Sequence, residues 1–256
     1  MPSCQELQNK ISQLKDLKQK FEASYADFQK QIEIAPDDET AKRLALDKVS
    51  PYRDEIEAIL SWFEENFPER KIKAQWTKFY QEVIKKAIPN YKIPDFSNIK
   101  IPEHQEGFDW TIIMDKNLTY EQIKEVCEAS FLCEFIIDPQ EIDLTQEERS
   151  PQKDGSYAIH LRNREEADEE NADMSANQIK EQQMKTLTLL ERMTLELYYW
   201  WSNNGKHLDI ENVTICSGSR CLDGFVPHAF CSGGWFLVFW RNPDNADGNL
   251  RARLAV

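Results

Sequence analysis

Apolar side chains recur at heptad spacing along residues 5–34. Leu7, Leu14, Phe21 and Phe28 occupy one position of the repeat and Ile11, Tyr25 and Ile32 the other, with Lys18 the only interruption. Such a pattern predicts a long helix with a coiled-coil-like seam. Ala35-Pro36-Asp37-Asp38 ends it, and Asp37 or Asp38 suits the N-cap of a second helix over roughly 38–66. Ser50-Pro51 predicts a break or a restart, because proline removes a backbone donor and clashes with the preceding turn. Ile56, Ile59, Leu60, Phe63 and Phe67 then mark one face. After Pro68, a third helix carries Ile72, Trp76, Phe79, Tyr80, Val83 and Ile84 and stops before Pro89. Residues 5–88 read as an antiparallel helical bundle, or as a hairpin with an extra helix. The seam can be satisfied within the chain, by a second copy or by a protein partner.

The periodicity lapses over 89–109, where Pro89, Pro94 and Pro102 predict a linker. The expected division is a helical part over 1–90, a linker over 91–109 and a second domain over 110–256. Trp110–Met114 reads as a strand, and Thr119 with Gln122 has capping-box spacing ahead of a helix through Ile123, Val126 and Cys127. Glu134–Ile137 reads as another strand. Asp138–Asp154, acidic and rich in turn formers, predicts an exposed loop. Tyr157–Leu161 alternates, with Tyr157, Ile159 and Leu161 on one face and His160 on the other. Ser175 and Gln178 form a second capping-box pattern. The helix they open breaks near Lys185 and resumes from Leu187 to Asn203, with Leu190, Met193, Leu197 and Trp201 as a core stripe. Asn212–Cys216 is a strand, and Phe225–Cys231 and Trp235–Trp240, flanking Ser232-Gly233-Gly234, form a hairpin. Residues 242–256 read as a polar tail. The predicted class is α+β: helices first, then a small domain with a mixed or antiparallel sheet.

Charge sharpens the division. Of 31 basic and 45 acidic residues, 17 of each lie in 1–100, which leaves 14 basic and 28 acidic residues in 101–256. The net charge of −14 therefore sits in the C-terminal part, where it disfavours nucleic acid and anionic membrane surfaces. The first residues lack the basic and apolar regions of a signal peptide, and no apolar run reaches membrane-spanning length, so a cytoplasmic protein with reduced thiols is expected.

The order GSYAIHLRNREEADEE, LTLLERMTLELYYWW, GKHLDIENVTICSGSR, then DG and VP, resembles a C-terminal domain recurring in hypothetical proteins from uncultured bacteria. The resemblance covers about 105–256. It implies a bacterial cytoplasmic protein and transfers no catalytic residue.

Candidate chemistry concentrates in Val213–Asp244. Ser217-Gly218-Ser219-Arg220, followed by Asp223, can cradle an anion with hydroxyls, turn amides and a guanidinium; the alternative is a plain loop in which Arg220 pairs with Asp223. His160 and Arg162 would join if the strand at 157 lay beside the strand at 213. Cys216, Cys221, His228 and Cys231 supply four soft ligand types, so zinc is the one metal to consider; no other cofactor is implied. Cys216 with His228 or His207 and Asp209 has the residue types of a nucleophile, base and orienter. No P-loop, zincin helix or nucleophile elbow occurs. The leading expectation is a non-enzymatic protein-interaction or ligand-recognition protein; the alternative is a small-molecule enzyme or anion-binding domain using the Arg/Ser turn.

Overall fold

The computed structural model describes residues 2–33 and 38–256 and divides into two compact units, Met1–Lys71 and Ile72–Val256. The expected helix stop at 35–37 lies outside the described residues, as do the side chains of Tyr25, Phe28 and Ile32.

The first unit is built on two long helices, α1 (Cys4–Glu33) and α2 (Asp38–Asn66). Ser3 and Glu6 open α1 by a reciprocal cap, Ser3 N donating to Glu6 Oε2 at 2.7 Å and Glu6 N to Ser3 Oγ at 3.2 Å. The Lys10 ammonium lies 5.7 Å over the Trp62 ring and Phe21 meets Tyr52 edge-on at 6.2 Å, so the helices run antiparallel. Leu17 and Ile59 are buried, while Ile11, Ile56 and Leu60 keep at least a third of their surface exposed. No new helix start occurs at Ser50-Pro51: α2 runs through it, since one forfeited ladder bond leaves the flanking turns intact.

From Ile72 onward the third helix belongs to the second unit, not to a bundle. α3 (Pro68–Phe79) continues through a π-helical turn at Tyr80–Ile84 into α4 (Lys85–Ala87). Trp76, Phe79, Tyr80, Val83 and Ile84 lie in the same core as β1 (Trp110–Met114). The Trp76 indole donates to Thr111 O at 2.9 Å and the Tyr80 hydroxyl to Ile113 O at 3.1 Å. The stretch expected as a linker buries Tyr91, Phe96 and Ile101 in that core, and Tyr91 donates to Asp115 at 2.6 Å. The boundary thus falls at 71/72, because aromatic burial holds 72–109 to the sheet domain despite its prolines.

α5 (Tyr120–Ser130) starts at the Thr119/Gln122 capping box. β2 (Cys133–Phe135) follows, then one helical turn, α6 (Pro151–Asp154), and β3 (Tyr157–Leu161), which pairs antiparallel with β1 in a two-stranded sheet. α7 (Ala176–Glu181) is capped by Ser175/Gln178. α8 (Leu189–Ser202) has its own box, Thr188/Glu191. β4 (Val213–Ile215), β5 (Val226–Ser232), β6 (Trp235–Arg241) and β7 (Leu250–Arg251) complete a five-stranded mixed sheet of order β2-β6-β5-β4-β7. The chain is α+β.

The β5–β6 hairpin turns on Gly233 and Gly234 alone, with Ser232 facing Trp235. Both glycines have positive φ (58° and 81°), as a tight two-residue hairpin turn requires. α8 packs against α5, β1 and β5. Ala229, Phe236 and Val238 face that central core, while Ile215, Val226 and Leu250 pack with Ala176 and Ile179 on the other side. Residues 242–256 are not a tail: β7 joins the sheet, Leu254 and Ala255 form bridges, and Arg253 is buried.

Candidate functional site

The Ser217–Leu222 turn is held from both sides. The Gly218 amide donates to Leu187 O at 3.2 Å, and Ser217 Oγ bonds Thr186 Oγ1 at 2.9 Å. A Cβ on Gly218 would stand 3.1 Å from both Thr186 O and Leu187 O, so this approach selects glycine. The acidic stretch expected to be an exposed loop runs along the other side. Glu148 N donates to Gly218 O, Asp143 N to Arg220 O and Leu222 N to Glu141 O, each at 2.8 Å. Ile142, Glu147 and Ser150 are buried there, because these bonds satisfy the backbone that solvent would otherwise cover.

Between this turn and the α7 end lies a cleft of about 330 Å³ lined by Gln146, Glu148, Lys180, Lys185, Ser217 and Arg220, with Ile179 and Met184 as apolar wall. Arg220 is 6% exposed and Nη1 donates to Ser217 O at 2.9 Å and Ser219 O at 2.7 Å. Its Nη2 makes no hydrogen bond within the described residues, and no carboxylate pairs with the guanidinium. Burial lowers its pKa. Lys180 and Lys185 form no ion pair among the described residues, whereas Glu148 is held by Arg149 at 3.4 Å. The cleft therefore carries three cations against one paired carboxylate.

Behind the turn, Ser219 points inward. Its hydroxyl donates to Glu147 Oε1 at 2.5 Å and accepts from Leu189 N at 2.9 Å, while Tyr120 OH donates to the same Glu147 oxygen at 2.9 Å. Glu147 Oε2 has no hydrogen-bond partner among the described residues, and burial pushes the carboxyl up to about 8. Farther on, Glu191 accepts from Arg149 at 2.9 Å and from Tyr157 at 2.7 Å.

The remaining candidates lie elsewhere. Asp223 does not pair with Arg220; it accepts from Phe225 N at 3.1 Å. β3 lies beside β1, not β4, so His160 and Arg162 do not reach the turn. His160 bonds Thr111 at 3.0 Å and Pro102 O at 2.9 Å; Arg162 pairs with Asp168 at 2.7 Å and lies over Phe108.

The zinc set Cys216, Cys221, His228 and Cys231 does not converge: no group of three His, Cys, Asp or Glu suited to a metal occurs among the described residues. His228 and Cys231 are three apart on β5 and so take opposite faces. The His228 ring stacks on Phe230 and Phe239, and burial, with Arg241 nearby, pushes its pKa down to about 3. Burial raises the Cys216 thiol, and His207 is bound to Glu196 at 2.8 Å, so no activated nucleophile forms at this end of β4.

A second polar cluster is announced by no sequence pattern. Asp209, held at φ 53°, bridges Arg192 Nη2 and Arg253 Nη2, each at 2.7 Å. Arg192 also reaches Glu196 at 2.6 Å, and Arg253 donates to Arg164 O and Glu165 O. The burial of all four charged side chains marks this as a scaffold.

Fold and cleft together define an α+β protein that presents a cationic, half-apolar recess at a glycine turn. No family model, curated protein or solved structure matches the chain.

Proposed function

We propose that the chain is a non-enzymatic ligand-recognition protein whose second unit binds a small anion, phosphate or carboxylate, over Arg220. The observation that carries this is a nearly buried guanidinium with no counter-charge among the described residues, in a cleft that also holds Lys180, Lys185 and Ser217. Burying an uncompensated charge is costly, and an anion seated there supplies the missing partner. The half-exposed Ile11, Ile56 and Leu60 support a first unit that self-associates or takes a protein partner. The resemblance over 105–256 supports reading it as a bacterial cytoplasmic protein; no helix among the described residues is long and apolar enough to cross a membrane.

Thermal unfolding of the full chain, titrated with inorganic phosphate and with succinate against chloride at constant ionic strength, tests the cleft. A ligand at 100 times its Kd adds about 2.7 kcal/mol, which for a unit of this size raises Tm by roughly 5–10 °C. Arg220→Met abolishes the rise and Lys180→Ala/Lys185→Ala weakens it. An equal rise in Arg220→Met, or none with either anion, rejects the site. Light scattering on the same samples reports assembly: Leu60→Glu converts an oligomer to a monomer, and a wild-type monomer at high concentration removes self-association.

A further inference from the structure

A second recess of about 440 Å³ opens between α3, the start of β1 and the end of α8, and its chemistry is opposite to that of the Arg220 cleft. Trp110, Tyr198 and Tyr199 contribute rings to its wall, and Asp109 and Glu165 contribute carboxylates; no lysine or arginine lines it. The rings are fixed. Trp76 stacks on Tyr198 at 4.2 Å with the planes 12° apart, and Trp110 meets Tyr199 at 5.6 Å. Glu165 Oε1 accepts from Tyr199 OH at 2.7 Å, which holds that carboxylate at the rim. Asp109 lies 3.8 Å from His104, and neither carboxylate is paired with a lysine or arginine among the described residues.

From this we infer a second binding site, for a small organic cation of the ammonium or guanidinium class. Aromatic faces attract a desolvated cation through the ring quadrupole, and two uncompensated carboxylates give the recess the matching sign. The excess of acidic over basic residues in 101–256 favours the approach of cations to this unit. The Trp76–Tyr198 stack gives the aromatic wall its shape before any ligand arrives, so little ordering cost remains. This site is independent of the anion cleft: it shares no lining residue with it.

Agmatine, which carries both cationic groups, is the probe, titrated into the full-length chain by calorimetry and by tryptophan fluorescence. Neutral glucose is the control, because Asn163 and Ser202 in the wall also suit hydroxyl groups. Saturable agmatine binding is expected, weakening as salt rises and falling about tenfold or more in Asp109→Asn/Glu165→Gln. Both side chains are exposed, so that variant keeps its fold, which circular dichroism verifies. Arg220→Met leaves agmatine binding unchanged. The inference is overturned by an absence of saturable binding, by equal binding to the double variant, or by glucose binding where agmatine fails.

Discussion

Two regions of the second unit bury arginine on opposite terms. Around Asp209 every charge has its complement: Arg192 and Arg253 converge on one carboxylate, Glu196 takes the remaining edge of Arg192, and Thr214 Oγ1 donates to Asp209. At the Ser217–Leu222 turn the ionisable groups are buried but kept apart. Among the described residues Arg220 bonds only backbone carbonyls, and Glu147, behind the same turn, bonds only hydroxyls. A closed network ties β4, α8 and the C-terminal segment together and leaves no demand for a ligand. An open one has a guanidinium and a protonated carboxyl on two sides of a glycine turn, and the guanidinium is met by no carboxylate among the described residues. Burial alone therefore does not distinguish scaffold from site; whether the buried charge is answered does.

The largest expected effect falls on the closed network. Asp209→Asn keeps a residue suited to positive φ but strips the shared counter-charge from two buried guanidinium groups, a loss of about 3–5 kcal/mol. Urea denaturation measures it, and a loss under about 1 kcal/mol would show that the network does not secure the fold. The open cluster gives a pH-dependent effect. Glu147 titrates near 8 when folded and near 4.5 when exposed, so its stabilisation is complete below 4.5 and is lost as pH rises through 8. The loss is of the order of a few kcal/mol by pH 9. Glu147→Gln removes that fall: the variant matches wild type at pH 4 and unfolds at higher urea at pH 9. Parallel pH profiles for the two proteins would mean the carboxyl is not buried as described.

What was legible along the chain was local. The Thr119/Gln122 and Ser175/Gln178 boxes need only residues three apart, and both are present. Two glycines between apolar runs announce the β5–β6 hairpin, and alternation announces β3. The Thr188/Glu191 box was equally available and places the start of α8. What was not legible depends on partners distant in sequence. Arg253 looks like a tail residue until Asp209, 44 positions away, is brought to it. Glu147 and Glu148 look like an exposed acid run until the Gly218 and Arg220 carbonyls take the neighbouring amides. Trp76 and Tyr80 carry the same helical pattern whether they face a bundle or a strand, so periodicity cannot choose between the two. Of the cleft, the turn residues Ser217 and Arg220 stood out by composition; Lys180 and Lys185 did not, since only the short α7 and its irregular exit place them opposite the turn.

The smallest expected effect is the most discriminating. Arg192→Met and Arg220→Met replace buried guanidinium groups with the same flexible apolar side chain, and an account based on burial alone assigns them similar costs. The charge environments assign different ones. Arg192→Met leaves Glu196 and one side of Asp209 without their cation, which costs about 3–5 kcal/mol. Arg220→Met abandons two hydrogen bonds to carbonyls but also relieves an unanswered buried charge, and these terms nearly cancel, leaving a change within about 1 kcal/mol of zero. Urea midpoints of the two variants, measured without phosphate or dicarboxylate, decide the matter. A cost for Arg220→Met close to that of Arg192→Met would place Arg220 in the scaffold. A near-neutral Arg220→Met that has also lost its response to anions would identify a charge kept at a stability cost for binding.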